Sequence, residues 1–172
     1  QATDLFLRDR QSGTTSLISR RHDGNGAANG ESRAAHLTPD GRFVVFASSA
    51  TDLIAAGLPP IGEGRRRLIY RLDRQSGETR LINVNRPAVP GHPFATNDLV
   101  NLSRDLLPLQ ISADGQRVLF QVDHGRDVSL IDTNLAEPEL GSVLLWHAGT
   151  GITDVMSGRY QTIPPEANTT PR

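Results

Sequence analysis

Short apolar runs separated by turns follow one another in a constant order along the chain. An approach segment, AAHLT at 34–38, leads through PDG into a second apolar run, RFVVFAS at 42–48. A third run, IYRLD at 69–73, leads through RQSG into a fourth, ETRLIN at 78–83. Runs of this length, bounded by Asp, Gly, Pro and Ser, are typical of β-strands joined by turns. The pattern therefore predicts units of four antiparallel strands, each unit made of two hairpins.

The same order of segments occurs more than once, which predicts a repeat protein. DRQSGTTSLIS, Asp9 to Ser19, and DRQSGETRLIN, Asp73 to Asn83, are identical at eight of eleven positions. The two turn glycines of one unit, Gly41 and Gly77, lie 36 residues apart, and the same distance separates the two turn glycines of the next unit. A fixed period of this kind indicates supersecondary units that stack side by side.

One strand is apolar at every position instead of alternating. Phe43 to Phe46, FVVF, predicts a strand that is covered on both faces, as in small four-stranded sheets stacked around an axis. We therefore predict an all-β fold of β-propeller blades, each a four-stranded antiparallel sheet, with about two and a half blades of a larger or oligomeric propeller. The predicted units are a half blade at 4–19, a blade at 34–83, a blade at 107–157 and a tail at 158–172.

These segments resemble a known repeat family. LTPDGRFVVFASSATDLI together with LIYRLDRQSGETRLI is similar to the WD-repeat-like β-propeller repeats of the TolB type. The first full unit matches that pattern at Gly41, Phe46, Asp73 and Gly77. The next unit matches it at Asp114, Gly115, Val118 and Phe120. That unit departs from the pattern where His147 stands in place of the aspartate, so a family role for the aspartate does not extend to it.

The resemblance implies a binding or scaffolding module without a catalytic centre of its own. All eighteen basic residues are arginine and none is lysine, which indicates a GC-rich coding bias and hence a bacterial origin. We expect a periplasmic or secreted protein. Because a closed propeller needs roughly four to eight blades, the expected partner is another protein or the missing blades of the same propeller. The alternative is a non-catalytic propeller fragment of a bacterial hydrolase or peptidase, which would gate or present substrate to a separate catalytic domain.

The composition excludes several classes of partner and binding site. The net charge of −1 gives no long-range attraction to nucleic acid. The chain has no cysteine, which excludes disulfides and cysteine-based zinc sites. No apolar run approaches the roughly 18 residues that span a bilayer. We expect no nucleic-acid partner, no membrane span, no cofactor and no metal.

Two loop segments are candidates for contact with a partner. DHGRD gathers two carboxylates and an imidazole between the second and third strands of its unit, and GRRRL is the chain's basic cluster. The candidate contact residues are Asp123, His124, Asp127, Arg65, Arg66 and Arg67. A third segment, DGNGAANG at 23–30, is similar to a calcium loop, but Ala27 occupies the position of the third oxygen ligand. We interpret this segment as a linker between blades.

Overall fold

The computed structural model describes residues 3–55, 68–82, 109–121, 143–151 and 153–156. These segments form ten β-strands and no helix. The strands are β1 (Phe6–Arg8), β2 (Thr15–Leu17), β3 (Ser32–Leu37), β4 (Phe43–Ser48), β5 (Leu68–Asp73), β6 (Thr79–Leu81), β7 (Leu109–Ile111), β8 (Arg117–Gln121), β9 (Val143–His147) and β10 (Thr153–Val155). The prediction of an all-β fold is confirmed.

The strands form three antiparallel sheets in which sequence neighbours pair. Sheet I contains β1 and β2, sheet II has the order β3-β4-β5-β6, and sheet III has the order β7-β8-β9-β10. Each four-stranded sheet is a meander whose strands pair in chain order, as expected for a propeller blade. The register of β3 against β4 shifts between Arg33 and His36, and Ala34 lies there with φ 51°. The first strand of sheet II therefore carries a β-bulge.

The Asp-Gly turns close the first hairpin of sheets II and III in the same way. The Gly41 amide donates to the Thr38 carbonyl at 2.8 Å, and the Asp40 carboxylate accepts the backbone amide two residues further on at 3.0 Å. Asp114 accepts the equivalent amide at 2.9 Å. Gly41 and Gly115 have φ of 72° and 68°, in the left-handed region that favours glycine. The predicted role of Asp-Gly as a tight turn is confirmed.

The second hairpin of each unit joins β5 to β6 in sheet II and β9 to β10 in sheet III. The residue that begins its turn differs between the two sheets. The Gly77 amide donates to the Asp73 carbonyl, and the Gly151 amide donates to the His147 carbonyl, both at 2.8 Å. The Asp73 carboxylate also accepts the amide two residues further on at 2.9 Å, and Asp9 makes the same contact at 2.8 Å in sheet I. The backbone turn is thus shared by sheets II and III, although His147 replaces the carboxylate in sheet III.

The three sheets stack face to face, with sheet II between sheets I and III. The core between sheets I and II consists of Ile18, Ala28, Val44, Phe46, Ala50, Leu53, Leu68 and Tyr70. The core between sheets II and III consists of Val45, Ile69, Ile82, Leu109, Val118, Phe120, Leu144 and Trp146. Every residue of β4 is buried, because its alternate side chains enter the two different cores. The prediction that this strand is covered on both faces is confirmed.

The boundaries of the predicted units stay a prediction. Residues 83, 107 and 157, at which units were expected to begin or end, lie outside the described residues, as does the predicted tail at 158–172. Within the segments that the structure does describe, no helix is long and apolar enough to cross a membrane.

Candidate functional site

All the predicted loop contact residues lie outside the described residues. They are Asp123, His124, Asp127, Arg65, Arg66 and Arg67. Their role in contact with a partner stays a prediction.

The segment that is similar to a calcium loop lies between β2 and β3 and folds back on itself. The Ala28 amide donates to the Ser19 carbonyl at 2.9 Å, and the Arg21 amide donates to the Gly26 carbonyl at 3.1 Å. The Asp23 carboxylate accepts the backbone amide two residues further on at 2.9 Å and lies 3.1 Å from Arg21 Nη2. The hydrogen bond from this amide contributes most to lowering the pKa of Asp23, and the charge of Arg21 contributes less. The carboxylate is thus engaged by the loop itself.

No metal cluster is present in the part of the chain that the structure describes. There, no three His, Cys, Asp or Glu side chains come close enough together to hold a metal ion. The features of the described chain that bear on binding are instead the two interfaces between sheets. We call the interface of sheets I and II the first seam, and the interface of sheets II and III the second seam.

The first seam opens into a cavity of about 260 Å³. Ile18 and Leu53, which are buried, and Leu72, which is half-buried, contribute apolar surface to its wall. The exposed residues 20–22, an Arg-Arg-His sequence, and the exposed Glu78 also line it. With these polar and charged residues at its margin, polar atoms make up most of the cavity wall, whereas ligand pockets are lined mostly by apolar side chains.

The charges at this margin are largely paired with one another. Arg21 lies 3.1 Å from Asp23 and 3.6 Å from Asp52, and Glu78 lies 2.8 Å from Arg80. His22 Nδ1 lies 3.1 Å from the carbonyl oxygen of Asp52. Because these pairs are exposed, each contributes little to stability. The first seam thus offers a mostly polar cavity with an electrically balanced margin.

The second seam has a different chemistry, because it contains an arginine. Arg71, on β5, is only 6% exposed. Its Nε donates to the carbonyl oxygen of Gly115 in sheet III at 2.7 Å. Its guanidinium carbon lies 4.0 Å from the centre of the Phe43 ring and 5.9 Å from that of the Trp146 ring. Arg71 therefore joins sheet II to sheet III by one hydrogen bond and by its cation–π contact with Trp146, whereas Phe43 belongs to the same sheet as Arg71.

The acidic residues nearest to Arg71 have other partners. Asp73 accepts from Arg42 Nε at 3.1 Å and from Nη2 at 2.8 Å, a fork-like pair that lowers the pKa of Asp73 to about 2. Glu78 pairs with Arg80 through two contacts. Burial lowers the pKa of Arg71, and the charge of Asp73 acts in the opposite direction. Arg71 is therefore a buried cation with a neutral acceptor and no carboxylate in direct contact within the described chain.

Sheets II and III approach closely beside Arg71. A Cβ atom on Gly115 would stand 2.0 Å from Cδ2 of Phe43, so no side chain fits at this position without a shift. The absence of a side chain brings the Gly115 carbonyl within reach of Arg71. The second seam thus combines an apolar core with a close approach of the Gly115 backbone to the Phe43 ring.

Sequence reasoning missed Arg71, although the repeat contains a signal that identifies it. Aligning LFLRD, IYRLD and VLLWH places Arg71 opposite Leu7 and Leu145. Leu7 packs against the core of the first seam. A charged residue at a position where the neighbouring units have leucine, in a strand that is buried on both faces, marks a site that differs from the rest of the repeat.

Comparison with known proteins concerns the fold. No family model matches the chain, and no curated protein matches it. Among solved structures, 90% of the chain aligns with an oligogalacturonate lyase in complex with manganese, at 12% identity and a TM-score of 0.46. The same share aligns with TolB from Acinetobacter baumannii, at 16% identity and a TM-score of 0.31. The chain spans 29% and 38% of the lengths of these two chains.

The class of the protein follows from its own sheets. Two four-stranded meanders and a two-stranded sheet, stacked through two separate apolar cores, are β-propeller blades. The chain is therefore an all-β protein with a propeller-like fold.

Proposed function

We propose that this chain is a binding or scaffolding module of a TolB-like propeller, in a bacterial protein that is periplasmic or secreted. The observation that carries the proposal is the stack itself, in which sheet II uses one face to bind the sheet before it and the other face to bind the sheet after it. Such a stack is built for association, and its surfaces suit interaction more than catalysis. The sequence resemblance to TolB-type repeats supports the same function.

The proposed partner is a set of further blades, supplied by the same propeller or by a second copy of the chain. Sheet I has only two strands, and an isolated two-stranded ribbon is marginally stable in water. Leu7 enters the first seam, whereas its neighbour Phe6 is 66% exposed. Because successive side chains of a strand point to opposite faces, Phe6 lies on the face of sheet I that a preceding blade would cover.

The test is the solution mass of the chain by light scattering coupled to size exclusion. A discrete dimer or trimer supports a ring in which several copies combine their blades. A monodisperse monomer that unfolds in one sharp transition contradicts the proposal, because the three sheets would then need no further blades. A chain that aggregates by itself, and no longer does so when it is expressed with further blades attached, points to blades from the same polypeptide.

A pair of variants shows whether the face of sheet I is the contact. Phe6→Ser is expected to dissociate a discrete oligomer, because it removes the exposed aromatic side chain from that face. Leu37→Ser is the control, since Leu37 is an exposed apolar residue, 43% accessible, at the end of β3 in sheet II. Equal masses for both variants and the unmodified chain would exclude sheet I as the contact.

A further inference from the structure

Arg71 has more hydrogen-bond donors than the described chain satisfies. A guanidinium group carries five N–H donors. One of them, on Nε, donates to Gly115, and Nη1 and Nη2 have no acceptor among the described residues. Buried polar groups in folded proteins nearly always have a partner, so a buried group without one calls for a ligand, an ion or water. The terminal nitrogens of Arg71 are such a group.

Within the described chain, no carboxylate pairs with the positive charge of Arg71. Arg42 pairs with Asp73, and Arg80 pairs with Glu78, so each neighbouring carboxylate already has its own arginine. A buried ion that lacks a counter-charge is destabilising. A negative charge at the second seam would offset this cost, whereas the first seam, whose margin is balanced, has no such need.

The ring contacts and the hydrogen bond to Gly115 leave the terminal nitrogens as the unsatisfied groups of the guanidinium within the described chain. Phe43 and Trp146 approach the guanidinium carbon as ring contacts, and ring faces accept no in-plane N–H bonds. The free edge formed by the terminal nitrogens matches the two oxygens of a carboxylate or phosphate. Arg71 is only 6% exposed, so water can satisfy little of its hydrogen-bonding capacity.

We propose that the second seam binds a small oxyanion, a carboxylate or a phosphate group, through the terminal nitrogens of Arg71. The repeat supports a role beyond packing, because leucine occupies the equivalent position in the other two units and the first seam packs around it. Stacking of blades therefore does not require a cation here. The proposal is independent of whether further blades close a ring.

The experiment uses the chain's single tryptophan, Trp146, which lies at the site. The protein is titrated with sodium acetate and, separately, with inorganic phosphate, at an ionic strength held constant with sodium chloride. Trp146 emission and the ¹H–¹⁵N signals of Arg71 Nε–H and the Gly115 amide are followed. We expect a saturable change in these signals for at least one probe. Saturation by acetate alone identifies a carboxylate site, and saturation by phosphate alone identifies a phosphate site.

Three variants separate a site at Arg71 from a general effect of anions. Arg71→Met is expected to abolish the saturable change, and Arg71→Lys, which keeps the charge but loses the fork, to weaken it by on the order of tenfold. Arg33→Met is the control, because it removes one positive charge from an exposed position of the same sheet. This control is expected to bind as the unmodified chain does.

Two results would overturn the proposal. One is the absence of a saturable response to both probes in the unmodified chain, which would make Arg71 a purely structural clamp. The other is an unchanged response in Arg71→Met. If Arg71→Met does not fold, the map of shifted signals in the unmodified chain decides the matter, since saturable shifts centred away from Gly115 and Trp146 exclude the site.

Discussion

The two seams of this protein join sheets of the same design by different means. In the second seam the carbonyl of Gly115 accepts from Arg71, which belongs to the preceding sheet. The equivalent carbonyl of sheet II, that of Gly41, accepts from Arg74 of the same sheet. A single turn sequence, Asp-Gly, thus presents its carbonyl to a neighbouring blade in one case and to its own blade in the other. The turn is therefore the same in both units, whereas the contact that its carbonyl makes differs between them.

A second difference between the sheets concerns two positions that change together. In sheet II, Arg42 and Asp73 form an ion pair beside the turns. In sheet III, Gln116 and His147 occupy the same two positions of the repeat. A backbone hydrogen bond of 2.9 Å joins the two hairpins in both sheets. The Arg74 amide donates to the Arg42 carbonyl in sheet II, and the Ala148 amide donates to the Gln116 carbonyl in sheet III. The backbone therefore holds the two hairpins together in both sheets, and the ion pair is an addition in sheet II.

The largest expected effect tests the close approach in the second seam. Gly115→Ala is expected to lower the free energy of unfolding by about 4 kcal/mol, because it combines left-handed backbone strain with a collision against Phe43. Gly41→Ala is the matched control, with the same strain but only Arg74 Nη1 nearby at 3.5 Å, and is expected to cost about 1–2 kcal/mol. Urea unfolding of both variants measures the difference. Equal costs would mean that the second seam is no tighter than the first.

The next effect concerns the core of the first seam. Phe46 is fully buried and stacks on Tyr70, with ring centres 5.8 Å apart. Phe46→Ala is expected to cost on the order of 3 kcal/mol, the usual scale for removing an aromatic side chain from a core. Phe120→Ala tests the equivalent position of the second seam, where the side chain is 1% exposed. A urea midpoint for Phe46→Ala equal to that of the unmodified chain would contradict burial at the first seam.

A smaller effect is expected at the second-hairpin turn of sheet II. Gly77 has φ 76°, and a Cβ atom there would meet nothing within 4 Å. Gly77→Val is therefore expected to cost about 2 kcal/mol through backbone strain alone, because a β-branched residue resists positive φ. The measurement is the melting temperature. An unchanged value would refute the assignment of this turn.

The smallest effect tests the ion pair that sheet III lacks. Because Arg42 lowers the folded-state pKa of Asp73 from 3.8 to about 2, the pair stabilises the protein above about pH 4, and this stability is lost as the pH falls toward 2. Asp73→Asn is expected to cost about 1 kcal/mol at neutral pH. It should also reduce the fall in stability between pH 4 and pH 2, as followed by urea unfolding at each pH. An equally steep fall in the variant would assign the acid sensitivity to other carboxylates.

Much of the fold was predictable because it depends on local patterns that repeat. Asp-Gly at 40–41 and the glycine at 77 predict turns, since few residues adopt the backbone conformation that those positions require. The unbroken apolar run at 43–46 predicts burial on both faces, since a strand directs alternate side chains to opposite sides. These inferences need only neighbouring residues, and the structure confirms each of them.

The candidate sites were much less predictable. The residues chosen from the sequence, in the segments DHGRD and GRRRL, lie outside the described chain, and their role stays a prediction. Arg71 was passed over because nothing local distinguishes it from an arginine at a strand edge. Only its alignment with Leu7 and Leu145 marks it as unusual, and that comparison requires the repeat to be aligned strand by strand.

The order of strands, the turns and the two-sided burial of β4 are therefore properties of the sequence alone, because short-range backbone preferences and alternation of apolar residues determine them. The partner of each exposed carbonyl and each charge was decided by the tertiary structure. Arg71 and Gly115 are 44 residues apart in the chain and meet only because sheet III packs against sheet II. Contacts of this kind depend on the relative position of whole sheets, which no local pattern specifies.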